Sequence, residues 1–145
     1  ESNGNVNIIN MSLGGGGNNQ IICEEIENMK NNGIFVVASA GNEGNSAIRF
    51  PASCEYSFSV SSTKFDERRS SFSSFNNYVD IAAPGGQNSE DLDGNGSGDG
   101  IMAYSFKNSS YDGESYKGLQ VYNGTSMAAP HVSAYFAILN AKFLS

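Results

Sequence analysis

With 145 residues the chain is long enough to bury a core and makes one domain at most. Its 8 Lys and Arg face 15 Asp and Glu, and the net charge of -7 denies it the cationic surface that a phosphate backbone or an anionic membrane face requires. Nucleic acid is therefore not expected as a partner, and the adjacent Arg68 and Arg69 read as a solvated loop pair. No window reaches the ~18 consecutive apolar residues of a membrane span.

In chain order, VNIINMS (6 to 12) is an apolar, β-branched run suited to a buried strand, and the glycines at 14 to 17 end it. In NQIICEEIENMKNNG, Ile22, Ile26 and Met29 recur at helical spacing, Glu24, Glu25 and Glu27 bring early negative charge, and Gly33 suits a helix end. IFVVASA (34 to 40) has the continuous apolar character of a strand covered on both faces. Residues 6 to 40 thus predict a βαβ unit with a parallel strand pair and a right-handed crossover. Short strands are expected at 57 to 62 and 78 to 82. Residues 86 to 118, rich in Gly, Ser, Asn and Asp, read as a long loop or local insertion broken by a short hairpin around IMAYSF.

A last helix is expected to start near Thr125 or Ser126. Ala128, Ala129, Val132, Ala134, Phe136, Ile138 and Leu139 leave it little polar face, so burial is expected all round. Pro130 falls in its first turn or just beyond, where a missing amide hydrogen costs little. The chain stops inside this apolar stretch, AYFAILNAKFLS, which reads as a fragment. No charged start followed by an apolar core marks a signal peptide, so an export signal would lie upstream of Glu1.

Ser126 then sits at the amino end of a helix, where free amide hydrogens and the dipole favour developing negative charge. A capping serine has the same appearance, and a neutral hydroxyl attacks an acyl carbon only when a positioned base takes its proton. The neighbouring motifs separate the two readings. NMSLGG (10 to 15), ASAGNEG (38 to 44) and NGTSMAAPHV (123 to 132), in that order and separation, resemble the subtilisin-like serine peptidases, or subtilases. The resemblance continues through FPAS (50 to 53), FSSF (72 to 75) and IAAPG (81 to 85), so it covers most of the chain outside the insertion at 86 to 118. It implies an α/β fold, a three-layer sandwich with a mostly parallel sheet, incomplete in this chain. It also implies Ser126 as nucleophile and Asn42 as an oxyanion-hole donor. Asn42 follows the carboxyl end of strand 34 to 40, where open α/β sheets hold their ligands, and its amide can donate alongside the Ser126 backbone amide.

The base is harder to find. The only histidine, His131, lies five residues after Ser126, roughly 140° round a helix. In the family it is a buried helix residue, and it is read here as structural. The family order of Asp, His, Ser places both triad partners upstream of Glu1. Asp66, Asp80 and Asp112 offer no substitute without an imidazole. Residues 1 to 145 are thus expected to be part of one peptidase domain, its nucleophile-bearing portion, and inactive when isolated. The implied reaction is hydrolysis of peptide bonds in proteins through an acyl-enzyme. The alternative is a non-catalytic relative, a peptide-binding or scaffold module that keeps the fold; retention of Ser126 and Asn42 favours the enzyme.

Substrate contacts follow from the same resemblance. The backbone of Ser12, Leu13, Gly14 and Gly15 would pair with an extended polypeptide as an added strand. With Ser39, Ala40 and Gly41 it would wall the primary specificity pocket, whose small residues leave room for a large apolar side chain. Met127 reads as packing, at a position that in the family is oxidation-prone. Cys23 and Cys54 could each be buried thiols, since pairing cannot be deduced from sequence alone. Some secreted members carry paired cysteines at these places, so the resemblance favours a disulfide and an oxidising, extracellular or periplasmic compartment. It also implies a cis peptide between Phe50 and Pro51.

In DLDGNGSGD, Asp91, Asp93, Asn95, Ser97 and Asp99 fall at alternate positions of an oxygen-ligand loop with Gly96 at the turn, the spacing a calcium ion favours. The match is partial, because Met102 stands where a bidentate glutamate would complete an EF-hand. A solvated acidic loop is the other reading, and no organic cofactor is implied. Sequons at Asn10, Asn108 and Asn123 are taken as chance, two of them lying inside the family motifs.

Overall fold

The computed structural model describes residues 7–17, 19–108 and 115–143; Val6, Asp112 and the side chain of Asn108 lie outside the described residues. Four parallel strands form one sheet in the order β1 (Ile8–Met11), β2 (Phe35–Ser39), β3 (Ser57–Thr63) and β4 (Ile81–Pro84). Its register sets Ile9 beside Val36, Val36 beside Ser57 and Val60 beside Ile81. Helix α1 (Gln20–Asn31) connects β1 to β2, and a separate antiparallel hairpin, β5 (Ile101–Asn108) with β6 (Ser115–Tyr122), leads into α2 (Thr125–Phe143).

Alternation along β2 decides the layering, because successive side chains of a strand leave opposite faces. Val36 meets Ile26 of α1 and Cys54 on one face, while Val37 joins Val60, Ala83, Ala128, Ala129 and Val132 beneath α2 on the other. The result is three layers, helix, sheet, helix. A sheet covered on both faces needs apolar residues in succession, which explains why FVVAS lacks a polar stripe.

Helix α1 has defined ends. The Asn19 side chain accepts the Ile22 amide at 3.3 Å, and at the far end Ile34 N donates to Met29 O at 3.0 Å around Gly33, whose φ is +76°. Its first turn holds no acidic residue, so Glu24, Glu25 and Glu27 do not complement the dipole as the sequence suggested.

Three further expectations are corrected. Apolar Val79 does not open β4, because Asn76 Oδ1 accepts the Tyr78 amide and Asn76 O the Val79 amide, a turn that moves the strand start to Ile81. The hairpin is longer than IMAYSF, eight residues in each strand, since YKGLQVY is equally β-prone and pairs in register from Ile101 with Tyr122. Finally, α2 is not buried all round: Ala128 and Ala129 are, but Tyr135 and Ile138 are 58% and 64% exposed. His131 is exposed as well. The sheet covers one side of an apolar helix, and among the described residues nothing covers the other. Beside it an apolar groove of about 700 Å³ opens between Ile8, Phe35, Phe136 and Leu139.

Candidate active site

The carboxyl ends of β1, β2 and β4 meet the amino end of α2, as open parallel sheets arrange their sites. After β4 the chain passes within hydrogen-bond reach of the α2 entry, Gly124 N donating to Gly85 O at 2.9 Å. Only glycine permits this approach, since a Cβ at Gly85 would run into the Ser62 hydroxyl and stand 2.6 Å from the Gly124 carbonyl.

Ser126 lies in the first turn of α2. Pro130, four residues on, has no amide hydrogen for the Ser126 carbonyl, and Ser12 Oγ donates to that carbonyl instead at 2.8 Å. Ser126 Oγ in turn donates to the Ser12 carbonyl at 3.3 Å. The loop after β1 and the start of α2 are therefore tied together through both serines. Asn42 is oriented with equal definition: its Oδ1 accepts from Thr125 N and from Thr125 Oγ1, both at 2.9 Å. Thr125 is fully buried and its Oγ1 also accepts the Gly41 amide at 3.2 Å. With Oδ1 engaged twice, Nδ2 is the end of the Asn42 amide left to donate outward.

These residues open onto one cleft of about 190 Å³, lined by Leu13, Gly14, Ser39, Gly41, Asn42, Thr125 and Ser126. Ala40 and Gly15, both expected in its wall, do not line it. Ala40 is 2% exposed, and Gly15 commits both backbone groups to Phe50, N to O at 3.0 Å in each direction.

Two lining residues were missed by sequence reasoning. Arg49 Nη2 meets Glu43 Oε1 at 2.8 Å, and both face the same cleft. Ser74 Oγ donates to Glu43 Oε2 at 3.0 Å. The Arg49 hydrogen bond, with that of Ser74, outweighs burial and holds the Glu43 carboxyl below its ordinary 4.5. A wall expected to consist of small residues thus also carries an ion pair. Glu43 is visible in AGNEG and Arg49 stands immediately before FPAS, but no spacing rule pairs them.

No described side chain supplies a base. His131 Nδ1 bonds the Met127 carbonyl at 2.8 Å on an exposed part of α2, and Ser126 Oγ faces a backbone carbonyl, not an imidazole. Phe50–Pro51 is cis, as expected. Arg69 also has a structural place, donating to Ser73 O at 2.6 Å and lying 4.4 Å over the Phe75 ring.

A model of the subtilase family matches residues 1–145. The chain belongs to the subtilase family. It is 35% identical over 135 residues to thermitase of Thermoactinomyces vulgaris, covering 93% of this chain and 40% of that one. It is 31% identical over 140 residues to subtilisin BL of Lederbergia lenta, covering 97% and 44%. Among solved structures, a protease from Pseudoalteromonas arctica PAMC 21717 matches with a TM-score of 0.79 at 34% identity, over 93% of this chain and 39% of that one. A cold adapted subtilisin-like serine proteinase matches at 0.73 and 30%, over 97% and 44%. This subtilase chain thus spans about two fifths of the length of thermitase and subtilisin BL.

Two features outside the cleft complete the description of this subtilase chain. Cys23 of α1 and Cys54 are joined by a disulfide, S–S 2.05 Å, which fastens α1 to the loop that carries Phe50–Pro51. In the 91–99 loop, Asp91, Asp93 and Asp99 each bring a carboxylate oxygen within 4.8 Å of the others. Three hard, anionic oxygens at that separation suit a calcium ion. Asn95 and Ser97 are less committed to such a ligand set: Asn95 Oδ1 accepts the Ser97 amide at 2.8 Å and Asn95 Nδ2 donates to Asp93 at 2.7 Å.

Proposed function

We propose that these residues are the nucleophile-bearing part of a serine endopeptidase that hydrolyses peptide bonds of proteins. Ser126 Oγ attacks the acyl carbon as a base removes its proton, the carbonyl oxygen becomes an oxyanion, and the amine leaves with that proton to give an acyl-enzyme that water hydrolyses. The oxyanion is received by Asn42 Nδ2 and the Ser126 backbone amide. Ser12, Leu13 and Gly14 hold the polypeptide as an added strand. The single observation carrying this reading is the double engagement of Asn42 Oδ1 by Thr125, which turns a donor toward the cleft of Ser126 before any substrate arrives.

The imidazole and its carboxylate come, in this reading, from a part of the domain outside these residues, and the apolar groove beside α2 is the face that receives that part. The 91–99 loop binds calcium through Asp91, Asp93 and Asp99, with Asn95 and Ser97 completing the set on rearrangement; the ion braces the link between β4 and β5 and takes no part in the chemistry. The Cys23–Cys54 bond supports an oxidising compartment, extracellular or periplasmic, for this protein.

The test is labelling with a fluorophosphonate probe. The full-length protein should label and Ser126→Ala should not, whereas residues 1–145 alone should stay at background because no base faces Ser126. Labelling of the isolated residues that disappears in Ser126→Ala would show that a base exists here after all. A full-length protein that binds peptides yet never labels is the non-catalytic module.

A further inference from the structure

We propose that Arg49, held by Glu43, determines specificity in the cleft beside Ser126, and that it selects a substrate side chain ending in a carbonyl oxygen, glutamine or glutamate, over a large apolar one. This rests on reading Ser126 as the nucleophile, since the adjoining wall then receives the side chain on the acyl side of the cleaved bond.

The glycines do leave a slot, and Arg49 fills it. Its Cγ lies 3.0 Å from where a Gly41 Cβ would stand, its Nη1 2.9 Å from a Gly16 Cβ, and its Cβ 3.9 Å from a Gly14 Cβ. Gly41 is doubly constrained, with φ +112° and the Glu43 Oε2 only 2.6 Å from a would-be Cβ, so any side chain there would displace the ion pair. The guanidinium is fixed at three removes: to Glu43 at 2.8 Å, from Glu43 to Ser74 at 3.0 Å, and from Ser74 N to Gly41 O at 3.0 Å. A planar guanidinium held in this way presents its remaining donors in set directions.

One of those donors is unused. Arg49 Nε is buried and has no hydrogen-bond partner. Nε is closed off from the cleft, but the rest of the guanidinium is part-exposed in the cleft wall, where a substrate oxygen accepts from its outer N–H donors, and sites built around such donors reject analogues that lack the acceptor. An aromatic or aliphatic side chain offers no acceptor and finds its space already taken. Glu43 neutralises Arg49, so the pair presents donors without net charge, which admits both a carboxamide and a carboxylate. A lysine or arginine side chain would bring like charge against the guanidinium.

The experiment uses the full-length protein and chromogenic peptides that differ only at the residue before the cleaved bond: Gln, Glu, Phe, Leu or Lys. We expect kcat/KM for Gln or Glu to exceed that for Phe by roughly tenfold or more. Arg49→Gly should reverse this order by reopening the slot, Arg49→Lys should keep part of it, and Glu43→Gln, which leaves the guanidinium charge uncompensated, should raise Glu over Gln. A parent that prefers Phe or Leu overturns the proposal, as does an unchanged order in an Arg49→Gly variant that still labels with fluorophosphonate. In both cases the nucleophile reading stands. Absence of labelling in the parent overturns both. If Arg49→Gly fails to fold, the parent's order and that of Arg49→Lys decide.

Discussion

The cleft and the 91–99 loop are both dense in polar side chains, yet they are organised by opposite means. Around the cleft, apart from the Arg49–Glu43 pair, side chains meet distant segments: Ser12 bonds Ser126 across 114 residues, Thr125 bonds Asn42 across 83, and Ser74 bonds Glu43 across 31. In the loop the partners are neighbours. Asp91 accepts the amides of Asn95 and Gly96, Asp93 that of Asn95, and Asp99 that of Leu92, none more than seven residues away. The cleft is therefore shaped by the whole fold and needs no ligand to take form. The loop is shaped by its own turns, and its clustered carboxylates repel one another.

The comparison breaks most sharply at Asn42. Asn42→Ala removes the outward donor and should lower kcat roughly 100-fold or more with little change in KM, the size known for the oxyanion asparagine of subtilisin itself. A loss confined to KM would remove Asn42 from the oxyanion hole. Thr125→Val comes next. It deletes one of the two bonds to Asn42 Oδ1 and leaves the Gly41 amide without its acceptor. With the amide free to turn, kcat should fall about 10- to 100-fold, and Thr125→Ser should restore it because the hydroxyl is kept. If Thr125→Val merely lowers Tm, Thr125 supports the fold and does not orient Asn42.

The loop should respond only to the ion. At tenfold excess over Kd, calcium should stabilise the full-length protein by about 1.4 kcal/mol, read as a rise in Tm that a chelator reverses. Asp91→Asn should abolish the rise and leave kcat/KM at the cleft unchanged. A calcium response that survives Asp91→Asn puts the ion elsewhere.

The same contrast explains what the sequence could and could not reveal. The parallel strands, α1 with its Gly33 close, Ser126 at a helix start and the five alternate oxygens of the 91–99 loop are local patterns, and each is legible in its own residues. The Cys23–Cys54 bond and the cis Phe50–Pro51 peptide came through the family motifs around them. The Arg49–Glu43 pair was illegible, because its geometry depends on the Gly15–Phe50 bridge and on Ser74 arriving from another loop. So was the bare half of α2: an apolar helix announces that it wants cover, but only the packed structure says which side receives it.

The smallest effect tests the ion pair in the cleft wall by pH. Arg49 foremost, then Ser74, hold the Glu43 carboxyl below its ordinary 4.5 by hydrogen bonds to its ionised form. A carboxyl depressed in the folded protein binds fewer protons there than in the unfolded chain, so its contribution is fully present above pH 4.5 and is lost as pH falls through the depressed value. Because the Glu43 side chain is 34% exposed, solvent screens the pair and the contribution should stay below about 1 kcal/mol. Thermal unfolding of the parent and of Glu43→Gln is to be compared from pH 7 down to pH 3. The parent should be slightly the more stable at neutral pH, and the two curves should converge in acid. A gap that stays constant across the range would mean that Glu43 contributes by packing alone, and that Arg49 stands in the cleft without a titrating partner.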